Sequence, residues 1–86
     1  TVNSNRGIYI YNKSQYNGYL MKELGEIIKN RRKEFDLTQA ELAKLSHIGI
    51  NTLTQIERGE GNPTVRVIEK VLDTLGLRLT VTTVEV

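Results

Sequence analysis

The stretch LTQAELAKLSHIGINTLTQIERGE, running from Leu37 to Glu60, decides the fold. Thr38 and Glu41 stand in the T-x-x-E spacing of a capping box. In such a box the hydroxyl accepts an orphan N–H of the first turn while the carboxylate reaches back to the threonine amide. A helix therefore starts at Thr38 and runs to about Leu45, with Leu42, Ala43 and Leu45 on its buried side. Ser46-His47-Ile48-Gly49 leaves room only for a tight turn, and a second short helix follows from Ile50 to Arg58, burying Leu53 and Ile56 and stopping at Gly59-Glu60-Gly61. Within it, Asn51, Thr52 and Gln55 crowd short polar groups into a few positions. Asn and Thr are indifferent helix formers, so a contact surface explains them better than a solvated face does.

Working outward, Leu20, Leu24, Ile27 and Ile28 recur at i, i+4, i+7 and i+8, one apolar stripe of a preceding helix that ends near Phe35-Asp36. Downstream, Asn62-Pro63-Thr64 opens a further helix with Thr64 as N-cap, a core of Val65, Ile68, Val71, Leu72 and Leu75, and Gly76 at its end. Beyond it, Leu77 to Val86 is β-branched and alternates apolar with polar residues, with a phase shift at Thr83. A lone strand cannot satisfy its own backbone, so this tail needs a partner. Ile8-Tyr9-Ile10-Tyr11 is the other strand-like run, followed by a loop from Asn12 to Gly18.

Composition limits the function classes. Eighty-six residues make one small domain that buries about 60–65% of its unfolded surface, too little for a deep cofactor cavity. The absence of cysteine removes disulfides, iron–sulfur clusters and thiolate zinc sites, and a single histidine, His47, makes a metal site unexpected. No cofactor is expected. No apolar run reaches the roughly 18–20 residues of a membrane span. The first residues lack the order of a secretory signal, so a cytoplasmic protein is expected. Twelve basic and ten acidic residues leave a net charge of +2, which permits a nucleic-acid partner without requiring one. Lys29, Arg31, Arg32 and Lys33 concentrate positive charge near the end of the first helix. No nucleophile–base pair or carboxylate cluster points to catalysis, and Gly59-Glu60-Gly61 closes a helix where a phosphate-binding loop would open one.

Two short helices joined by a four-residue turn suggest a helix-turn-helix, whose second helix enters a major groove about 12 Å wide. The residues also carry a resemblance. Leu37-Thr38-Gln39-Ala40-Glu41-Leu42-Ala43, then Ile48 and Leu53, then Ile56-Glu57-Arg58-Gly59-Glu60, then Asn62-Pro63-Thr64 resemble the Cro/phage-repressor (XRE) family over about Leu24 to Leu75. The resemblance implies a mainly α, four- to five-helix, lambda-repressor-like domain over residues 20–76. Residues 1–19 would form an amino-terminal extension and 77–86 a carboxy-terminal strand used for dimerisation.

It also implies roles. Gln39 would brace against phosphate and the recognition helix. Ile50, Asn51, Thr52 and Gln55 would face base edges, with Ile50 either meeting a thymine methyl or packing on the turn. Thr54 and Arg58 would meet phosphates. Arg32 and Glu57 would form a semi-buried brace between the first helix and the recognition helix. His47 takes the place of the turn's usual glycine, at a position expected to have φ > 0.

A strand after Leu75-Gly76, in place of another helix, is similar to the HipB-type antitoxins. That similarity implies a homodimer on a palindromic operator, joined through Leu77, Leu79 and Val81, and a HipA-type kinase toxin as a further partner. The expected function is a sequence-specific repressor that doubles as an autoregulating antitoxin; the alternative is a stand-alone XRE-family regulator. For the strand's partner, the same strand of a second subunit is preferred, with the Ile8–Tyr11 run as the competitor.

Overall fold

The computed structural model describes residues 7–10 and 17–83. In chain order these form β1 (Gly7–Ile10), α1 (Asn17–Glu34), α2 (Gln39–Ser46), α3 (Ile50–Glu57), α4 (Val65–Thr74) and β2 (Arg78–Val81). The mainly helical class is as expected.

The helix boundaries follow local chemistry. Both halves of the capping box are made: the Glu41 amide donates to Thr38 Oγ1 at 3.1 Å, and the Thr38 amide donates to Glu41 Oε1 at 2.8 Å. Thr64 caps α4 as expected, accepting from the Val67 amide at 3.1 Å. All four helices close on one device, a left-handed residue followed by a returning amide. Asp36, His47, Gly59 and Gly76 have φ of 57°, 58°, 73° and 71°. The next residue in each case donates five positions back: Leu37 to Arg32 O, Ile48 to Ala43 O, Glu60 to Gln55 O and Leu77 to Leu72 O, at 2.8–3.1 Å. This is the Schellman arrangement, which satisfies carbonyls that a helix end otherwise strands. Leu37, Ile48 and Leu77 then fold their side chains against the core, so each stop also fixes the direction of the next segment.

The core joins Leu24 and Ile28 of α1, Leu42 and Ala43 of α2, Leu53 and Ile56 of α3, and Ile68, Val71 and Leu72 of α4 with Leu75. Two expected core residues are not in it. Leu45 is 55% exposed, because α2 turns Leu42, Ala43 and Ser46 inward and leaves Leu45 on its outer flank. The buried Ser46 instead donates to Thr74 Oγ1 at 3.0 Å, tying α2 to α4. Val65 is 59% exposed, since the inward stripe of α4 begins only at Ile68. The first helix starts at Asn17, ahead of the expected Leu20, taking in the end of the stretch read as loop.

A close crossing completes the helical unit. A Cβ on Gly25 would collide with the Ile56 carbonyl oxygen and come within 2.8 Å of that of Glu57. A Cβ on Gly59 would meet Lys22 Cα at 2.8 Å. Each glycine thus lets the backbone of α1 lie directly on the end of α3.

The tail differs most from its reading. Of the expected strand 77–86, β2 takes in Arg78–Val81 and stops before Thr82, residues 84–86 lie outside the described residues, and the partner of β2 is the competing amino-terminal run. The two pair in parallel, Gly7 with Arg78 through Ile10 with Val81. Because β1 precedes and β2 follows the helical unit in the chain, the whole of that unit serves as the crossover that a parallel pair requires. The preferred antiparallel exchange between subunits is therefore not what pairs this edge of β2. Leu77 precedes the strand, Leu79 packs partly on the core, and Val81 is 78% exposed. Among the described residues, no helix is long and apolar enough to cross a membrane.

Candidate nucleic-acid interface

Helix α3 is eight residues long and sharply two-sided. Leu53, Ile56 and Glu57 turn inward, while Ile50, Asn51 and Gln55, with Arg58 just past the end, are exposed. Thr52 and Thr54 are half-buried on its flanks. The only carboxylate of α3 is Glu57, and it is buried, so the outward face of the helix carries no exposed negative charge. At the other end Gly49 offers no side-chain cap, and the first turn has no acidic residue. The first-turn amides are therefore not consumed by a local carboxylate, which leaves the positive end of the helix dipole free to face an anion.

A buried polar network fixes this helix in place. Arg32 Nε donates to Glu57 Oε2 at 2.7 Å and Arg32 Nη2 to Glu57 Oε1 at 3.0 Å, a bidentate pair. Arg32 Nη1 donates to the Leu37 carbonyl at 2.8 Å, in the turn that leads into α2. Gln39 Nε2 donates to Glu57 Oε1 at 3.0 Å, and Thr54 Oγ1 donates to Gln39 Oε1 at 3.4 Å. One carboxylate thus gathers α1, α2 and α3. The Glu57 side chain is 3% exposed and that of Arg32 11%. The hydrogen bond to Glu57 raises the Arg32 pKa above its ordinary value, coulombic attraction adds to it, and desolvation opposes both. The guanidinium is therefore charged throughout the working pH range.

The sequence-predicted residues divide. Arg32 and Glu57 meet as expected. Gln39 reaches both Glu57 and Thr54, so its amide carbonyl is committed inside and one amide N–H remains for a ligand. Thr54 has a single hydroxyl proton, and in this geometry it points to Gln39. Ile50 is 46% exposed at the start of the helix. Asn51 and Gln55, four apart on one helix face, share the outward surface with Arg58.

Three residues that shape the site were not singled out from sequence. Gly25 was one; a glycine inside an otherwise apolar-periodic helix is the signal that marks it. Gly61 (φ +78°) is another, since a Cβ there would come within 2.9 Å of Gln55 Oε1, so the loop backbone lies against the Gln55 amide. Arg31, grouped with the basic cluster, is a structural tie: its Nε donates to the Leu75 carbonyl at 3.0 Å, its Nη1 pairs with Glu34 at 3.0 Å, and its guanidinium sits 4.9 Å over the Phe35 ring. No sequence signal separates Arg31 from its neighbours. Among the described residues no group of three His, Asp or Glu is placed to hold a metal ion.

Comparison with known proteins places the chain among helix-turn-helix proteins. A family model described as "Helix-turn-helix" matches residues 28–81. An immunity repressor protein of Bacillus phage phi105 is 38% identical over 56 residues, covering 65% of this chain and 39% of that protein. The ImmF control region 10 kDa protein of the same phage is 35% identical over 60 residues, covering 70% of this chain and 67% of that protein. The chain thus spans about two-fifths of the first relative and about two-thirds of the second.

Proposed function

The chain belongs to the helix-turn-helix family of DNA-binding transcriptional regulators, and from that membership we propose that it is a sequence-specific repressor whose α3 reads base edges in the major groove. The observation that carries the reading is the outward face of α3: Asn51 and Gln55 exposed beside Arg58, with the only carboxylate of the helix buried and paired. Asn and Gln suit adenine edges, each offering a donor and an acceptor at one amide. Ile50, exposed at the start of the helix, suits a thymine methyl, and Thr52 lies on the flank beside it. Arg58 supplies phosphate contact, joined by the remaining N–H of Gln39. Thr54 serves the network first and reaches a phosphate only by turning its hydroxyl away from Gln39.

A homodimer would place two such helices on a palindrome with half-sites about 34–36 Å apart. The relative named as an immunity repressor favours a stand-alone regulator, a repressor of the phage type acting on DNA in the cytoplasm. The antitoxin reading, with a HipA-type kinase as partner, rests on the β-branched tail alone, and β1 already accounts for one edge of that tail. Co-expression with the neighbouring gene, followed by purification, separates the two: a stoichiometric kinase-like protein would restore the antitoxin reading.

The readout is tested on an operator obtained by selection from random duplexes. Asn51→Ala and Gln55→Ala should each weaken operator binding by about 1–3 kcal/mol while leaving scrambled-DNA binding nearly unchanged in gel-shift titrations. Equal losses on both sequences would show that neither residue reads bases.

A further inference from the structure

The exposed face of α4 carries a charge pattern that the fold does not use. Arg66, Glu69, Lys70 and Asp73 are all exposed and lie opposite the buried Ile68, Val71 and Leu72. Their spacing of i, i+3, i+4 and i+7 puts them on one side of the helix. The ion pairs among the described residues are Arg31–Glu34 and Arg32–Glu57, so none of these four charges is paired with another described residue. All four line an open groove of about 400 Å³ between α4 and β2, where Leu77 and Leu79 contribute apolar surface and Arg78 of β2 adds an exposed positive charge beside the helix.

Along the helix the signs alternate: plus, minus, plus, minus. A two-fold axis through the midpoint between Glu69 and Lys70 lays this face on itself end to end. Arg66 then meets the second copy's Asp73, and Glu69 meets the second copy's Lys70. Each of the four helix charges finds its opposite, whereas a parallel arrangement would set like against like. A face that complements itself only when reversed is what an isologous two-fold contact requires. We infer that this face of α4 is where two copies of the chain meet, with Leu77, Leu79 and the neighbouring exposed Val65 supplying apolar area. The inference rests on the homodimer reading above and assigns its contact to α4 in place of strand exchange.

The test uses the full chain and charge exchange. Glu69→Lys sets two lysines opposite each other and Lys70→Glu sets two glutamates, so each should raise the dimer Kd about five- to tenfold by sedimentation equilibrium at low salt. The E69K/K70E double variant swaps both signs, restores opposite pairs and should recover the parent Kd. The parent dimer should also loosen as salt rises through 0.1 M, where the screening length is about 10 Å. Both residues are exposed on the surface, and binding of each variant to a single half-site duplex should match the parent, which shows that the fold is intact. A dimer indifferent to the single reversals, or not recovered by the double, would overturn the α4 contact while leaving the homodimer reading in place. A parent chain that stays monomeric up to about 0.5 mM, yet binds a half-site, would overturn both the contact and the homodimer reading but not the DNA reading.

Discussion

Between Thr38 and Gly59 every structural boundary is set by residues within a few positions of it, whereas the β1–β2 pair joins residues from opposite ends of the described chain. The first region carries its own caps, its own left-handed stops and a carboxylate that ties it to α1. The second is two strands of four residues, with Leu79 half-buried and Val81 in solvent. A two-stranded sheet has little stability of its own and leans on the helices beside it. The outward face of α3 is therefore positioned by contacts among α1–α3, and the sheet is an attachment to that unit. That difference can be tested by perturbing each region in turn.

The largest effect is expected at Glu57. Glu57→Ala strips the buried Arg32 and the half-buried Gln39 of their shared acceptor, and an uncompensated buried charge such as that of Arg32 costs about 3–5 kcal/mol. Denaturant unfolding should register it at fixed protein concentration, and operator binding should fall with it. A loss under about 1 kcal/mol would mean that Arg32 finds water or another acceptor, and that the network does not hold α3.

In the sheet, Leu79→Ala removes a half-buried side chain and should cost only about 1 kcal/mol, with half-site DNA affinity unchanged. A loss as large as that at Glu57 would break the contrast between the two regions and make the sheet a structural partner of the helices.

The smallest effect is expected at the turn. His47 holds φ at 58°, where a Cβ is strained, and its side chain is exposed. His47→Gly should stabilise the fold by up to about 1 kcal/mol, because the relief of strain is partly offset by the greater freedom of glycine in the unfolded chain. A loss of stability would show that the histidine side chain contributes contacts that outweigh its strained backbone.

Much of the helical unit was legible in the sequence because its determinants are local. The capping box at Thr38 and Glu41, the N-cap at Thr64 and the stops at Asp36 and Gly76 are short-range hydrogen-bond devices, and each stands where the residue types put it. The outward polar face of α3 was legible for the same reason, since helix periodicity alone separates Asn51 and Gln55 from Leu53 and Ile56. The pairing of Arg32 with Glu57 came from likeness to a family, and packing then placed both groups within reach.

What the sequence by itself determined is the run of helices, their ends and the polarity of the outward face of α3, all governed by interactions spanning about one or two helical turns. Only the tertiary structure decided the rest. Leu45 and Val65 are apolar yet exposed, because which flank of a helix is covered depends on where its neighbours lie. Gly25 is needed because α1 crosses α3 at backbone contact, a distance no periodicity encodes. Arg31 is bound to the Leu75 carbonyl, while Lys33 two positions on is exposed. The parallel pairing of β1 with β2 has the same origin: the helical unit brings the two strands side by side, and until it folds neither strand has a neighbour to accept its hydrogen bonds.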